Sequence, residues 1–418
     1  MSGSRGWTSL AALTLALALA PHPISASTGK APQLSAITGI SARSVAILDE
    51  ATGSLLYSKD PDLVIPPASL AKLVTLHLVY RELDAGRLSR DELVTIDKRD
   101  CSPYVPFGSS LMYLQPGMKV SVIDLMRGAA VVSGNDAAFA LARRIAGSNE
   151  DFARLMNSEV ERLGFTKLRF VEPSGLSEKN LVTAREFAAF CRLYLRLHPG
   201  ALAELHSLRS IEFPRPEHAT VGYTPVGRII QRNKNSLVLD YPGCDGLKTG
   251  YIIEAGFNLA ATAERDGTRF VIVTLGGGGS SSAGGGEQRT KDGSRLLDWA
   301  FANWKTAIPN VPAIPPLRAW YGATRDLRLE ATAPLAVTLP PPELTSLSVR
   351  VEIPRYVEAP IEAGARLGSV IYTSGSTVVR RVDLVATSSV ARGNVFVVIR
   401  DAIQRFFIGL FERRAPKA

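Results

Sequence analysis

Between residues 44 and 58, the stretch SVAILDEATGSLLYS places two apolar runs around a turn at Ala51 to Gly53, the pattern of two strands joined by a tight connection. Two prolines then give way to Leu73, Leu76 and Tyr80 at three- and four-residue steps, which predicts a helix starting around Ser69 and ending near Gly86. The stretch SVIDLMRGAAVVSGNDAAFALARRIAG predicts two helices interrupted at Ser133 to Asn135, the first opened by Ser121 with Asp124 and the second stopped by Gly147. A third helix is predicted over 150–163, closed by Gly164, and a fourth from a cap at Thr183, with Glu186 at the matching position, to about Leu197. From Gly243 the period shortens to that of strands, with Asp266 and Gly267 forming a hairpin turn, and SRLLDWAFANW restores a helical pattern. Between them, GGGGSSSAGGG lacks the ending of a phosphate-binding loop and is expected to be a flexible surface loop.

The chain ends differently. IPNVPAIPPLRAW reads as a proline-rich linker, and the alternating segments after it predict a small all-β domain. In the tail, Phe396, Ile399, Ile403, Phe406, Phe407, Leu410 and Phe411 fall on one helical face, with Arg400, Asp401, Gln404 and Arg405 opposite. Such a helix suits the plane of a membrane interface, the competing expectation being a helix packed on its own domain. At the other end, Arg5, an apolar stretch from Leu10 to Ala20 and small residues around Ala26 have the layout of a secretory signal peptide. The expected divisions are therefore a signal peptide at 1–26, a main domain at 38–306, a linker at 307–317, a β domain at 318–388 and an amphipathic helix at 394–414.

Composition narrows the partners. The 418 residues carry a net charge of +9, spread thinly with no basic run interleaved with aromatics, which argues against nucleic acid and favours an anionic polymer or lipid surface. Three distant cysteines, Cys101, Cys191 and Cys244, show no metal-type spacing; one pair stays open, and the odd count leaves at least one thiol free and buried.

Ser69 and Lys72 in SLAK stand three apart, one helical turn, so hydroxyl and amine share a face. Alone the pattern is weak: STGK at 27–30 repeats it, and Ser69 as a helix cap beside a solvated lysine is the blander alternative. SGN at 133–135 and KTG at 248–250 follow in order. These three motifs resemble those of the penicilloyl-serine transferase superfamily. The resemblance sharpens to the low-molecular-mass penicillin-binding proteins that are serine-type D-alanyl-D-alanine carboxypeptidases. It is carried by YPGCDGLKTGYIIEAGFNLAATAERDGTRFVIVTLGG, RNKNSL and LLDWAF, and covers nearly all of the mature chain. Cys244 in place of an aliphatic residue, Tyr251 where histidine is frequent, and the glycine insert depart from the family pattern.

A serine hydroxyl needs a neighbouring base, and a lysine serves only when burial and nearby positive charge depress its pKa. With five histidines and no G-x-S-x-G elbow, a Ser-His-Asp system has little support. The resemblance implies an α+β fold: a β-lactamase/transpeptidase-like domain with an antiparallel sheet flanked by helices and a helical subdomain, then a small β domain and the amphipathic helix. It implies Ser69 as nucleophile, Lys72 as general base and Ser133 as proton relay. Asn135 would bind substrate backbone, Lys248 and Thr249 the terminal carboxylate, Gly250 would allow close approach, and the amides of Ser69 and Tyr251 would form an oxyanion hole. It further implies removal of the terminal D-alanine from peptidoglycan pentapeptide stems, acylation by β-lactams, no metal or cofactor, and a place at the periplasmic face of the cytoplasmic membrane. A β-lactamase, a DD-endopeptidase or transpeptidase on the same fold, and a non-catalytic wall-binding protein remain as alternatives. Glu172, outside any Glu-x-x-Leu-Asn motif, is expected to be a loop residue, and His77 and His218 ordinary helix and loop residues.

Overall fold

Strand β1 (Ser44–Asp49) is buried along its whole length, as its apolar run from Val45 to Leu48 suits, because it lies inside a five-stranded antiparallel sheet rather than at an edge. The computed structural model describes residues 37–101, 105, 108–224, 229–279 and 282–412, so the expected signal peptide at 1–26 lies outside the described residues. β2 (Leu55–Lys59) flanks β1 on one side. Strands β3 (Cys244–Ile252), β4 (Gly256–Arg265) and β5 (Thr268–Gly277) follow in a meander, and β5 closes against β1 with Ala46 opposite Val273, giving the order β2-β1-β5-β4-β3. The turn between β4 and β5 is the expected one, with Asp266 at φ 50° and Gly267 at φ 71°.

Residues 60–243 are thus inserted between two parts of one sheet, and they supply the helical layer. The helices are α1 (Lys72–Asp84), α2 (Val122–Val131), α3 (Asn135–Ala146), α4 (Asn149–Arg162) and α5 (Ala184–Leu197). The caps predicted at Ser121 and Thr183 are formed, each accepting a backbone N–H three residues on, as does Ser148 ahead of α4, and Gly147 ends α3 at φ 81°. Alternate residues of the sheet feed two cores. Ala46, Leu48, Val271 and Val273 pack with the helices. Val45, Ile47 and Ile272 pack with Leu296, Leu297 and Ala300 of α6 (Ser282–Asn303).

The glycine run is not the loop expected. Gly276 and Gly277 finish β5, and Gly284 to Gly286 lie in the first turns of α6, which starts at Ser282, well before the apolar pattern becomes legible. Close packing explains the composition: a Cβ on Gly285 would fall 1.9 Å from the Phe257 ring.

Residues 308–316 carry no regular structure. The segments beyond pair into a three-stranded and a four-stranded sheet, while Lys305–Ala307 pairs with Val337–Leu339. Thr306 Oγ1 donates to Asp49 Oδ1 at 2.8 Å, tying that strand to β1. The tail helix α7 (Val395–Glu412) reverses the usual arrangement. Its Asp401 is fully buried and accepts the Tyr321 N–H at 2.9 Å, and Arg405 reaches Glu358 and the Tyr321 and Tyr356 hydroxyls. The polar face docks on the β domain, and Phe396 and Phe406 stand 80% and 67% exposed.

All nine residues from Lys72 to Tyr80 are buried, so α1 runs through the helical layer and its polar side chains must find partners there. His77 is therefore no ordinary helix residue. Its Nε2 lies 2.8 Å from Glu159 Oε1 and its Nδ1 2.8 Å from His198 Nε2, with Glu159 also paired to Arg81 and Arg162. All three cysteines are free and buried.

Burial, reinforced by the charge of His77, depresses the pKa of His198 from 6.5 to about 3. The unfolded chain takes up this proton near pH 6.5 while the folded chain resists it until about pH 3, so stability present above pH 6.5 is lost as pH falls through that window. The thermal midpoint of the helical domain is expected to drop on the order of 5 °C between pH 7 and pH 4.5. A flat midpoint over that range, by calorimetry, would contradict the burial of a neutral imidazole.

Candidate active site

The turn that carries Ser69 is built by its neighbours. Ser69 sits in a short 3-10 turn, Ala68–Ala71, that leads into α1 at Lys72, and its hydroxyl caps nothing. Ala68 takes a left-handed φ of 49°, unfavourable for a residue with a side chain. Three contacts hold it there. A Cβ on Gly175 would fall 1.9 Å from Ala68 O. A Cβ on Gly250 would fall 2.8 Å from Pro67 O and 2.9 Å from Ser69 N. Asn258 Nδ2, from β4, donates to Pro66 O at 2.8 Å. Gly250 thus brings edge strand β3 against the serine backbone, and Gly175 brings the loop after α4 against it from elsewhere.

Lys72 is fully buried, and its Nζ donates to Ser69 Oγ at 3.0 Å, Asn135 Oδ1 at 2.5 Å and Ser174 O at 2.6 Å. Three acceptors match the three donors of an ammonium. Burial pulls its pKa down from 10.5 to about 7, with the carboxylates of Glu172 and Asp136 opposing. Lys248, also buried, is lowered well below its usual value, first by burial and then by the charges of Lys72, Arg289 and Lys234. Of the burial and nearby positive charge that a lysine base requires, burial is what depresses Lys72, and the charge of Lys72 in turn adds to the depression of Lys248.

Ser133 and Asn135 lie at the break between α2 and α3. Ser133 is nearly buried at a left-handed φ of 62°, and its hydroxyl makes no hydrogen bond to another described residue. Asn135 opens α3 and gives its Oδ1 to Lys72, which leaves its amide N–H groups for another partner. Asp136 fixes the opposite wall by accepting the backbone N–H groups of Met112, Leu114 and Ala137. A cavity of about 230 Å³ lined by Met112, Asp124, Arg127, Ile211 and Arg215 contains none of the predicted site residues.

On β3, Lys248 Nζ donates to Thr249 O at 2.8 Å, Thr249 is buried, and Tyr251 is exposed and stacked on Phe257 at 4.3 Å. β3 is the edge of its sheet, so part of its backbone hydrogen-bonding capacity faces outward. The Ser69 N–H has no acceptor among the described residues.

Several contributors escaped the sequence reading. Glu172 is a loop residue as expected, but an organising one: its carboxylate accepts from Ser174 N and Oγ, Gly175 N, Ser177 N and Asn180 Nδ2, and so sets the Ser174 carbonyl on Lys72. Arg289 on α6 is half-buried, is lowered to about 10 by burial, and has no carboxylate partner among the described residues. Only EPSGL, a turn-rich run, hinted at the first, and nothing local marked the second. Among the described residues no cluster of His, Cys, Asp or Glu is arranged for a metal.

Residues 28–279 match the family model of D-alanyl-D-alanine carboxypeptidase, and residues 314–392 that of the C-terminal domain of penicillin-binding protein 5. The chain is 32% identical to the D-alanyl-D-alanine carboxypeptidase DacD of Salmonella typhimurium, over 94% of this chain and 97% of that one. Its fold resembles penicillin-binding protein 5 of Haemophilus influenzae, with a TM-score of 0.73 and 29% identity over 86% of this chain and all of that one. It also resembles the ampicillin-bound penicillin-binding protein D2 of Listeria monocytogenes, with a TM-score of 0.52 and 30% identity over 63% of this chain and 98% of that one.

Gly175 and Gly147 share a left-handed φ, 87° and 81°, but a Cβ meets Ala68 O at 1.9 Å in one and open space in the other. Gly147→Ala is expected to cost about 1 kcal/mol, the conformational penalty alone, and Gly175→Ala at least 3 kcal/mol. Urea midpoints compare the two, and equal shifts would show that Gly175 does not shape the serine turn.

Proposed function

The chain belongs to the D-alanyl-D-alanine carboxypeptidase family, and on that premise we propose that Ser69 is the nucleophile with which this serine-type, penicillin-binding enzyme cleaves the terminal D-alanine from peptidoglycan stem peptides. The observation that supports the assignment most directly is the buried Lys72 amine, 3.0 Å from Ser69 Oγ and depressed to about 7. In its neutral form Lys72 Nζ accepts the Ser69 proton while Oγ attacks the carbonyl carbon of the penultimate residue. The ammonium so formed keeps two acceptors besides Ser69, Asn135 Oδ1 and Ser174 O. The N–H groups of Ser69 and Tyr251 hold the oxyanion, each contributing on the order of 3 kcal/mol. Ser133 passes a proton to the departing amine of D-alanine, and water then hydrolyses the ester on Ser69. Asn135 holds the substrate backbone through its free N–H groups.

The substrate peptide ends in a carboxylate, and Lys248 and Thr249 receive it, with Gly250 allowing close approach to the strand. Lys248 is buried among the positive charges of Lys72, Arg289 and Lys234, an arrangement costly by itself and relieved by an anion. Arg289, without a carboxylate of its own among the described residues, adds to that field. β-Lactams carry the same acid beside a reactive amide and acylate Ser69 in place of substrate.

We also assign the catalytic unit to residues 38–306, the linker to 307–317 and the β domain to 318–388, with α7 as a peripheral anchor on the outer face of the cytoplasmic membrane. Among the described residues no helix is long and apolar enough to cross a membrane. α7 instead lies flat on its own domain by its polar face and offers Val395, Phe396, Ile399, Ile403, Phe406 and Phe407, all at least half exposed, to the bilayer interior.

Fluorescent penicillin is expected to label the wild type and not Ser69→Ala, and the wild-type acylation rate to fall about tenfold per pH unit below pH 7 as Lys72 gains its proton. Equal labelling of both proteins would remove Ser69 from the mechanism.

Truncation before Val395 is expected to release the protein from membranes into the soluble fraction on centrifugation. Continued pelleting of the truncated chain would place the anchor elsewhere.

A further inference from the structure

Behind the carboxylate-binding strand lies a buried imidazole that the mechanism above does not use. His206 ends the turn Leu202–His206 and is fully buried. Its Nδ1 lies 3.1 Å from Leu247 O, and its Nε2 2.9 Å from the Tyr194 hydroxyl. A carbonyl oxygen only accepts, so Nδ1 carries the proton and donates to Leu247, while Nε2 accepts from Tyr194 on α5. The ring is held in one tautomer from both sides. Its own backbone is held by Asn233, whose Nδ2 donates to His206 O at 3.1 Å, and the strand backbone by Asn235, whose Nδ2 donates to Gly246 O at 3.2 Å. A Cβ on Gly246 would fall 2.9 Å from Leu202 Cδ2 and 3.2 Å from His206 Cβ, so the turn Leu202–His206 occupies the space a side chain would need.

Leu247 is the residue before Lys248. We propose that His206 is a positioning residue for substrate recognition: by donating to the Leu247 carbonyl it fixes the strand backbone from which Lys248 reaches the terminal carboxylate. The inference rests on the reading that Lys248 binds that carboxylate. A neutral ring suits the task, since a protonated one would turn a second donor on Tyr194 and add a cation beside Lys248. Burial and the Lys248 charge keep it neutral, down to about pH 4. The tie reaches β3 from α5, so the strand is braced by the helical layer and not only by its ladder with β4.

A merely structural role would slow acylation by all β-lactams alike, whereas a positioning role acts on recognition of the acid. Second-order acylation rates are therefore compared for a penicillin and its neutral methyl ester. The acid-over-ester preference is expected to fall five- to tenfold in His206→Leu, the worth of about one well-placed hydrogen bond. It is expected to recover largely in His206→Gln, whose amide can donate to Leu247 and accept from Tyr194, and to fall about two- to threefold in Tyr194→Phe, which keeps the packing. Lys248→Gln is the control for the underlying reading: if it keeps the preference, Lys248 does not bind the acid and both readings fail. If Lys248→Gln loses the preference while His206→Leu and Tyr194→Phe retain it, the positioning role alone is overturned. Should His206→Leu not fold, Tyr194→Phe against wild type decides.

Discussion

One amine organises the helical half of this protein. Lys72 Nζ lies out of water with Ser69 Oγ, Asn135 Oδ1 and Ser174 O around it. These acceptors come from three stretches of chain, and each must be delivered to within about 3 Å for the buried nitrogen to be tolerated. Much of the surrounding sequence follows from that demand. α3 starts at Asn135 because its side chain must reach inward, and the loop after α4 folds on Glu172 so that Ser174 presents a carbonyl and not a hydroxyl. Thr75, one turn on, binds Pro173 O and pins the same loop.

The price of this packing is backbone strain around the serine, and the molecule confines it by contact. Ala68 and Ser133 both adopt left-handed conformations without being glycine, each at a cost of about 1–3 kcal/mol. Gly175, Gly250 and Asn258 approach the Pro66 to Ser69 backbone from one loop and two strands of the sheet. A residue held from several directions cannot relax, which keeps the hydroxyl fixed against the lysine. The same bracing extends behind β3, where Asn235 donates to the Gly246 carbonyl and His206 to the Leu247 carbonyl, while Asn233 holds the His206 backbone.

At the far end, α7 shows how a helix can satisfy its polar residues and leave its apolar ones bare. Asp401 has the Tyr321 N–H and Arg400 for partners, and Arg405 has Glu358 and two tyrosines. Desolvating these charges is affordable only with such partners. The outcome is a helix whose orientation on the β domain is specified while its phenylalanines remain free. Of the two expectations weighed from sequence, packing on its own domain holds for the polar side of the helix, while the apolar side is left bare.

Helix limits and strand pairs were largely readable because caps, glycine stops and apolar periods are local signals: Ser121, Thr183, Gly147 and the Asp266–Gly267 turn all stand where the pattern put them. The sequence also picked out Ser69, Lys72, Asn135 and Gly250, which the fold brings into contact with one another or with the serine backbone, because each belongs to a short ordered motif. It did not reveal that the glycine run starts a helix, since glycine has no side chain to show a period and only the Phe257 ring explains the choice. Nor did it reveal Glu172 as organiser, Arg289 near the lysines or the burial of His77 and His206. Spacing along a chain fixes what lies one turn away, whereas a buried polar group such as Lys72 owes its position to partners 63 and 102 residues distant. Which charges become neutral, and which tautomer a ring adopts, is settled only when those partners close around it and water is gone.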